Sequence, residues 1–218
     1  MNPKEKAAQY AFEKIENKFH KDFILGIGTG STTNCFIDIL KEKKPEMKCF
    51  VSSSSASSDL LKDAGYVDAE LNDVGGPDIY VDGADEVNSK FELIKGGGGA
   101  LTREKIIASA SREFICIVDK KKVVNKFGKF PVAVEVIPMA RSYVSRQIAA
   151  MGGRPNYRIG FITDNGNQII DVLNLNFDVP YETEGRLNKI SGVVENGIFS
   201  ARKADCLVIS DGAKTYEL

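Results

Sequence analysis

Short apolar runs over residues 23–27, 48–52, 78–82 and 114–118 alternate with segments of helical spacing, and this alternation is what most constrains the fold. Runs this short, bounded by Gly, Asp or Ser, read as strands buried on both faces. The segments between them predict helices. One carries Cys35, Phe36, Ile39 and Leu40, a second covers about 56–64 and a third 101–111. Ahead of them, Asn2-Pro3 reads as an N-cap with proline at the first helical position, followed by the stripe Ala8, Ala11, Phe12, Ile15 and Phe19. Residues 67–71 predict one further strand. Strands joined through helices form parallel pairs, so the expected sheet is parallel and covered by helices.

From about residue 131 the pattern changes. A strand over 131–137, a helix over 141–151 stopped by Gly152, and two strands around Asp164-Asn-Gly166 are followed by a helix at 181–190 and a strand at 192–199. The order β-α-β-β-α-β is that of a split, ferredoxin-like unit. The expected fold class is therefore α/β: a Rossmann-like, mostly parallel sheet covered by helices, plus a smaller ferredoxin-like α+β domain. The expected domains are 1–130 with 205–218, since Cys206-Leu-Val-Ile209 returns to the first sheet, and 131–204.

Composition narrows the function. A net charge of −1 over 218 residues gives no overall positive field, which argues against a nucleic-acid scaffold and for a small partner. No apolar run approaches the roughly 20 residues that span a bilayer, and Met1-Asn-Pro-Lys-Glu-Lys6 has no signal-peptide core, so a cytoplasmic protein without membrane contact is expected. Cys35, Cys49, Cys116 and Cys206 are widely separated and read as reduced core residues. His20 is the only histidine and reads as an exposed residue at the end of the first helix. Acid–base work then falls to Glu, Asp and Lys.

Two glycine-rich segments bear on chemistry. Gly26-Ile-Gly-Thr-Gly-Ser-Thr32 fails the dinucleotide fingerprint, because Ser31 stands at the third glycine, and the next strand ends in Ser52 to Ser55 with no acid for a ribose. It fails as a Walker A loop too, having no lysine before Ser31-Thr32. A turn of N–H and hydroxyl groups suited to phosphate or sugar hydroxyls remains, as does a plain tight strand–helix turn. Lys95-Gly-Gly-Gly-Gly-Ala-Leu-Thr-Arg-Glu104 sets a lysine and an anion-accepting loop ahead of a helix whose first turn holds Glu104. Asp82 and Asp85 follow Ile79-Tyr80-Val81, at the carboxyl edge where such sheets bind ligands. Taken singly, the two Asp are also common turn and cap residues, Glu104 a first-turn acid, and Lys95 and Lys122 solvated lysines. Their joint occurrence at predicted strand ends favours an acid–base site for a small anion.

These segments resemble the ribose-5-phosphate isomerase A family. The resemblance runs through nearly the whole chain, including Gly128-Lys-Phe-Pro-Val-Ala-Val-Glu-Val-Ile-Pro-Met-Ala-Arg141, Gly152-Gly-Arg-Pro155, Thr163-Asp-Asn-Gly-Asn167 and Ser191-Gly-Val-Val194. Departures are small: Gly99 makes a fourth glycine, and Lys120-Lys121 precede Lys122. The resemblance implies interconversion of ribose 5-phosphate and ribulose 5-phosphate, without metal or cofactor. It makes Glu104 the base that moves a proton between C2 and C1, Asp82 and Asp85 handlers of hydroxyl protons, and Lys95 the oxyanion stabiliser. Thr29, Gly30, Ser31, Thr32, Asp82, Gly83, Ala84, Asp85, Lys95, Gly96, Gly97, Gly98 and Lys122 become substrate contacts. It also implies a homodimer, and leaves open which glycine loop holds the phosphate and whether Lys6 reaches it. Alternatives on the same broad fold are a non-catalytic sugar-phosphate sensor and a related CoA-transferase or amino-sugar-phosphate deaminase.

Overall fold

The computed structural model describes residues 1–218. In chain order its first elements are α1 (Pro3–Ile15), β1 (Ile24–Ile27), α2 (Ser31–Lys43), β2 (Cys49–Ser52), α3 (Ser55–Lys62) and β3 (Ile79–Asp82). Next come β4 (Glu86–Val87), β5 (Leu93–Ile94), α4 (Leu101–Ala110), β6 (Glu113–Asp119), β7 (Val132–Val136) and α5 (Arg141–Ala150). The chain ends with β8 (Arg154–Tyr157), β9 (Gln168–Leu173), α6 (Pro180–Asn188), β10 (Val193–Asn196), β11 (Ile198–Phe199), β12 (Cys206–Ser210) and β13 (Thr215–Glu217).

Two compact units result, one formed by Met1–Ala84, Arg103–Val123 and Ala204–Leu218, the other by Asp85–Thr102 and Val124–Lys203. The first is built on a six-stranded sheet of order β13-β12-β6-β3-β1-β2, parallel except for the edge strand β13. Strands β3 and β12 are buried at every residue, as expected of strands covered on both faces. Helix α1 starts in a capping box: the Asn2 side chain accepts the Lys4 and Glu5 N–H groups at 2.9 and 3.1 Å, while Glu5 accepts the Asn2 N–H at 2.7 Å. Its Ala8, Ala11, Phe12 and Ile15 enter the core with Phe36 and Leu40 of α2. Strand order reverses between β1 and β3, the switch point at whose carboxyl end ligands bind in sheets of this type.

The second unit holds an antiparallel sheet of order β10-β7-β9-β8. Taken in the order in which these strands occur, that is fourth, first, third, second, the ferredoxin-like arrangement read from the sequence. Val132, Val134 and Val136 of β7 pack with Val144 and Ile148 of α5 and Leu187 of α6. A three-stranded sheet, β11-β5-β4, belongs to the same unit.

Several expectations need correction. Residues 67–71 form no strand: Phe50 pairs with Asp68 in one isolated bridge, and the chain then turns through Leu71–Asp73. Asp68 and Glu70 interrupt the apolar pattern, and Val67 is 62% exposed, so nothing there drives a buried strand. The single strand expected at 192–199 is two, because Gly197 donates to the Ala133 carbonyl of β7 and accepts from the N–H of Lys95, the residue after β5, each at 2.8 Å. The hairpin of β8 and β9 is joined by residues 158–167, so the Asp164-Asn-Gly166 turn lies well inside a longer loop. The unit boundaries also differ from 130/131 and 204/205: residues 85–102 and 124–130 group with the second unit.

One buried carboxylate organises the second unit. Glu135 on β7 has no exposed surface and accepts hydrogen bonds from the hydroxyls of Thr102 and Thr163 (2.9 Å) and from the side-chain amides of Asn165 (3.1 Å) and Asn167 (2.8 Å). Replacing it with Leu strands these donors without an acceptor. Glu135→Leu is expected to lower the unfolding free energy by at least about 3 kcal/mol, read by urea denaturation followed by circular dichroism.

Candidate active site

In the first unit the site is built around Asp82, the last residue of β3, which has no exposed surface. Its Oδ1 accepts the Gly83 N–H at 2.7 Å, the Thr29 N–H at 3.1 Å and the Thr33 hydroxyl at 3.2 Å. Its Oδ2 accepts the Tyr80 hydroxyl at 2.5 Å. The turn after β1 approaches this carboxylate so closely that a Cβ on Gly28 would lie 1.9 Å from Asp82 Cγ, which makes glycine obligatory there. The serine run is ordered structure. Thr29 Oγ1 is 2.8 Å from both Ser53 Oγ and Ser54 Oγ, and Ser57 Oγ donates to the Gly28 carbonyl at 2.8 Å.

Glu104, in the first turn of α4, is 4% exposed. The Tyr80 phenol is fully buried, and that desolvation, reinforced by the neighbouring Asp82 and Glu104 carboxylates, holds its pKa well above the ordinary value of 10.0. One buried phenol thus lies in the field of both carboxylates. Of the remaining first-unit candidates, Gly30 caps α2, Ser31 accepts the Lys4 ammonium at 2.8 Å, and Thr32 is half-buried. Gly83 and Ala84 are half-buried beyond β3, and Lys122 ends a 3-10 turn over Lys120–Lys122. Lys6 donates to the Gly212 carbonyl. His20 is exposed, its Nδ1 accepting the Asp22 N–H at 3.2 Å. All four cysteines are free thiols, and burial pushes that of Cys206 up to about 11.

The second unit holds Asp85, Lys95 and the glycines. Asp85 accepts the Gly97 N–H at 2.8 Å. Lys95 is 3% exposed, its N–H donates to the Gly197 carbonyl at 2.8 Å, and its ammonium lies 5.8 Å from the centre of the Phe199 ring, a cation–π distance. Gly96 is buried while Gly97 and Gly98 are exposed. Glu86 accepts the N–H groups of Gly128, Lys129 and Phe130 at 3.0, 3.0 and 2.9 Å, fixing the segment that leads to β7.

Asp82, Glu104 and Thr29 thus belong to one unit, and Asp85, Lys95 and Gly96 to Gly98 to the other. Sequence reasoning missed Tyr80 and Thr33 as partners of Asp82. Tyr80 had a signal, because residues two apart on a strand share a face. Thr33 had none, since its contact joins positions 49 residues apart.

The fold is of the α/β class, with buried carboxylates in the first unit and a buried lysine in the second, side chains of the kind that carry acid–base chemistry in enzymes. The family model of Ribose 5-phosphate isomerase A (phosphoriboisomerase A) matches residues 49–213, and the chain belongs to this family. It is 55% identical to the ribose-5-phosphate isomerase A of Legionella pneumophila (strain Lens) over 98% of this chain and 97% of that one. The crystal structure of ribose 5-phosphate isomerase A from Neisseria gonorrhoeae superposes with a TM-score of 0.93 at 45% identity, covering 100% of this chain and 98% of that one. A structure of D-ribose-5-phosphate isomerase in complex with phospho-erythronic acid gives 0.92 at 38% identity, covering 100% and 99%.

Tyr80 makes a pH prediction. Because its pKa is raised in the folded state, a rise in pH past 10.0 ionises the phenol of the unfolded chain first and favours unfolding. Tyr80→Phe lacks this linkage. The variant is expected to be less stable at neutral pH by about 1–3 kcal/mol, yet to lose less stability than wild type as pH rises through and above 10.0. Urea unfolding at a series of pH values checks both; parallel stability curves would dismiss the linkage.

Proposed function

We propose that this isomerase interconverts D-ribose 5-phosphate and D-ribulose 5-phosphate through an enediolate, within the non-oxidative pentose phosphate pathway. The carrying observation is near-full-length similarity to ribose-5-phosphate isomerase A of Legionella pneumophila. The phospho-erythronic acid held by a relative supports the chemistry, since the two oxygens of a carboxylate beside a sugar-phosphate chain copy those of an enediolate.

In this reading the Glu104 carboxylate removes the C2 proton of the open-chain aldose. The C–H electron pair becomes the C1–C2 double bond, negative charge moves to the carbonyl oxygen, and the same carboxylate returns the proton at C1. Lys95 stabilises that oxygen as charge develops, and Asp82 and Asp85 serve the hydroxyl protons during ring opening and transfer. Thr29 to Thr32, Gly83, Ala84, the backbone of Gly96 to Gly98 and Lys122 contact the sugar phosphate. No metal or cofactor enters the scheme.

The buried free thiols support a reducing compartment, and the reading places the enzyme in the cytoplasm. No helix is long and apolar enough to cross a membrane. The assembly proposed is a homodimer, for which sedimentation should return twice the chain mass of 23.8 kDa.

A carbon acid beside an aldehyde yields slowly to a carboxylate unless the enediolate is stabilised. Lys95→Ala should therefore slow turnover by about two to three orders of magnitude. Glu104→Gln should lose turnover while keeping most of its affinity for ribose 5-phosphate. Proton NMR in D2O after EDTA treatment should show ribulose 5-phosphate with deuterium at the transferred position. Unchanged ribose 5-phosphate beside a working control enzyme would dismiss the isomerase reading in favour of a sensor, and intact turnover in Glu104→Gln would dismiss the assigned base.

A further inference from the structure

Residues 96–99 form a turn in which the Gly99 N–H donates to the Gly96 carbonyl at 3.0 Å. Its two central residues, Gly97 and Gly98, are exposed. Turns of types I and II differ by a half-rotation of the central peptide, and type II needs a positive φ that glycine accepts without strain. An all-glycine turn therefore has little of its own to choose between the two. The choice matters chemically, because it decides which side of the turn receives the Gly98 N–H and which the Gly97 carbonyl.

Arg158, just beyond β8, supplies a preference. Its guanidinium donates to the Gly96 carbonyl from Nη2 at 3.1 Å and to the Gly97 carbonyl from Nη1 at 3.3 Å. The same group is held by Asp171 of β9, from Nε at 2.9 Å and Nη2 at 2.5 Å, and lies 5.2 Å from the Phe161 ring centre. All peptide bonds are trans, so the N–H of each peptide points opposite to its carbonyl. The Gly97 N–H behaves accordingly, pointing away from Arg158 to donate to Asp85 at 2.8 Å. By the same geometry the Gly98 N–H points away from Arg158.

We propose that Arg158 is a positioning residue that locks the Gly97–Gly98 peptide so that the Gly98 N–H is presented to the charged oxygens of the substrate. The guanidinium acts at the carbonyl ends of two successive peptides. Besides setting their direction, it polarises them and strengthens their N–H groups as donors. Asp171 keeps the guanidinium plane fixed, and the fork geometry lets one side chain hold two carbonyls and a carboxylate together. The inference rests on the isomerase reading for its substrate, whereas the contact between Arg158 and the turn belongs to the structure alone.

The test compares wild type with Arg158→Ala and Arg158→Lys, measuring kcat and KM for ribose 5-phosphate, affinity for phospho-erythronic acid, and thermal stability. In Arg158→Ala, kcat/KM should fall about 10- to 100-fold and phospho-erythronic acid should bind correspondingly more weakly. Millimolar guanidinium should restore part of the activity, while sodium chloride at equal ionic strength should not. Arg158→Lys should lie nearer to Arg158→Ala than to wild type, because an ammonium cannot hold both carbonyls and Asp171 together. The proposal is overturned if both variants keep wild-type kcat/KM. It is equally overturned if the loss follows only the fraction of folded protein, with no response to guanidinium. A wild-type chain that leaves ribose 5-phosphate unchanged would dismiss the isomerase reading, and the affinities for phospho-erythronic acid would then still decide the role of Arg158.

Discussion

A carboxylate with no exposed surface must find its hydrogen bonds inside the protein, and at Asp82 this requirement shapes the whole switch point of the parallel sheet. The donors come from four directions: the next peptide at Gly83, the turn after β1 at Thr29, the first turns of α2 at Thr33, and the same face of β3 at Tyr80. Each is a condition on the sequence. Residue 28 must lack a Cβ, residue 33 must carry a hydroxyl facing inward, and residue 80 must end in one. The Gly26-to-Thr32 segment is therefore held by a buried carboxylate on the neighbouring strand, which accounts for Gly28 without any dinucleotide.

The second unit applies the same rule at buried Glu86 and Glu135, and a looser form of it at half-buried Asp171. Glu86 gathers three backbone N–H groups, Glu135 gathers hydroxyl and amide donors, and Asp171 takes a guanidinium. The first two have neutral partners in the contacts described, so they fix loops without a rigid cationic fork, and each loses most if its donors are left unmatched. Asp171 differs because its partner passes the constraint onward: Arg158 still has donors left for the carbonyls of Gly96 and Gly97. A strand-borne acid thereby governs a turn with no side chains of its own.

Legibility in the sequence followed the range of the interactions. Strands β1, β2, β3 and β6 were readable because burial on both faces leaves continuous apolar runs, and α1 because Asn2, Pro3 and Glu5 write its start locally. The short strands β4 and β5 have two residues each, too few to show any period, and they exist by pairing with each other and with the distant β11. Asp82, Asp85, Lys95 and Glu104 stood out as chemical types at strand and helix ends. Arg158 did not, because it reaches Gly96 across 62 positions of sequence and nothing local distinguishes it from a surface arginine.

A chain whose one histidine is exposed must divide acid–base work in a particular way. A carboxylate is a modest base toward a carbon acid, and in the proposed reading that base is Glu104, in the first turn of α4. Strength has to come from the other side of the reaction, from the group that receives negative charge. In the proposed reading Lys95 meets that need through burial: at 3% exposure little water screens its ammonium, and the Phe199 ring face offsets part of the cost of keeping a cation there. On that reading a modest base and a buried cation favour an intermediate whose charge rests on oxygen, which is the requirement for moving a proton between adjacent carbons. The same reading gives the glycine turn its place directly after the lysine: with the Gly97 N–H held by Asp85 and the Gly99 N–H by the Gly96 carbonyl, the Gly98 N–H is the donor the turn offers beside the buried cation.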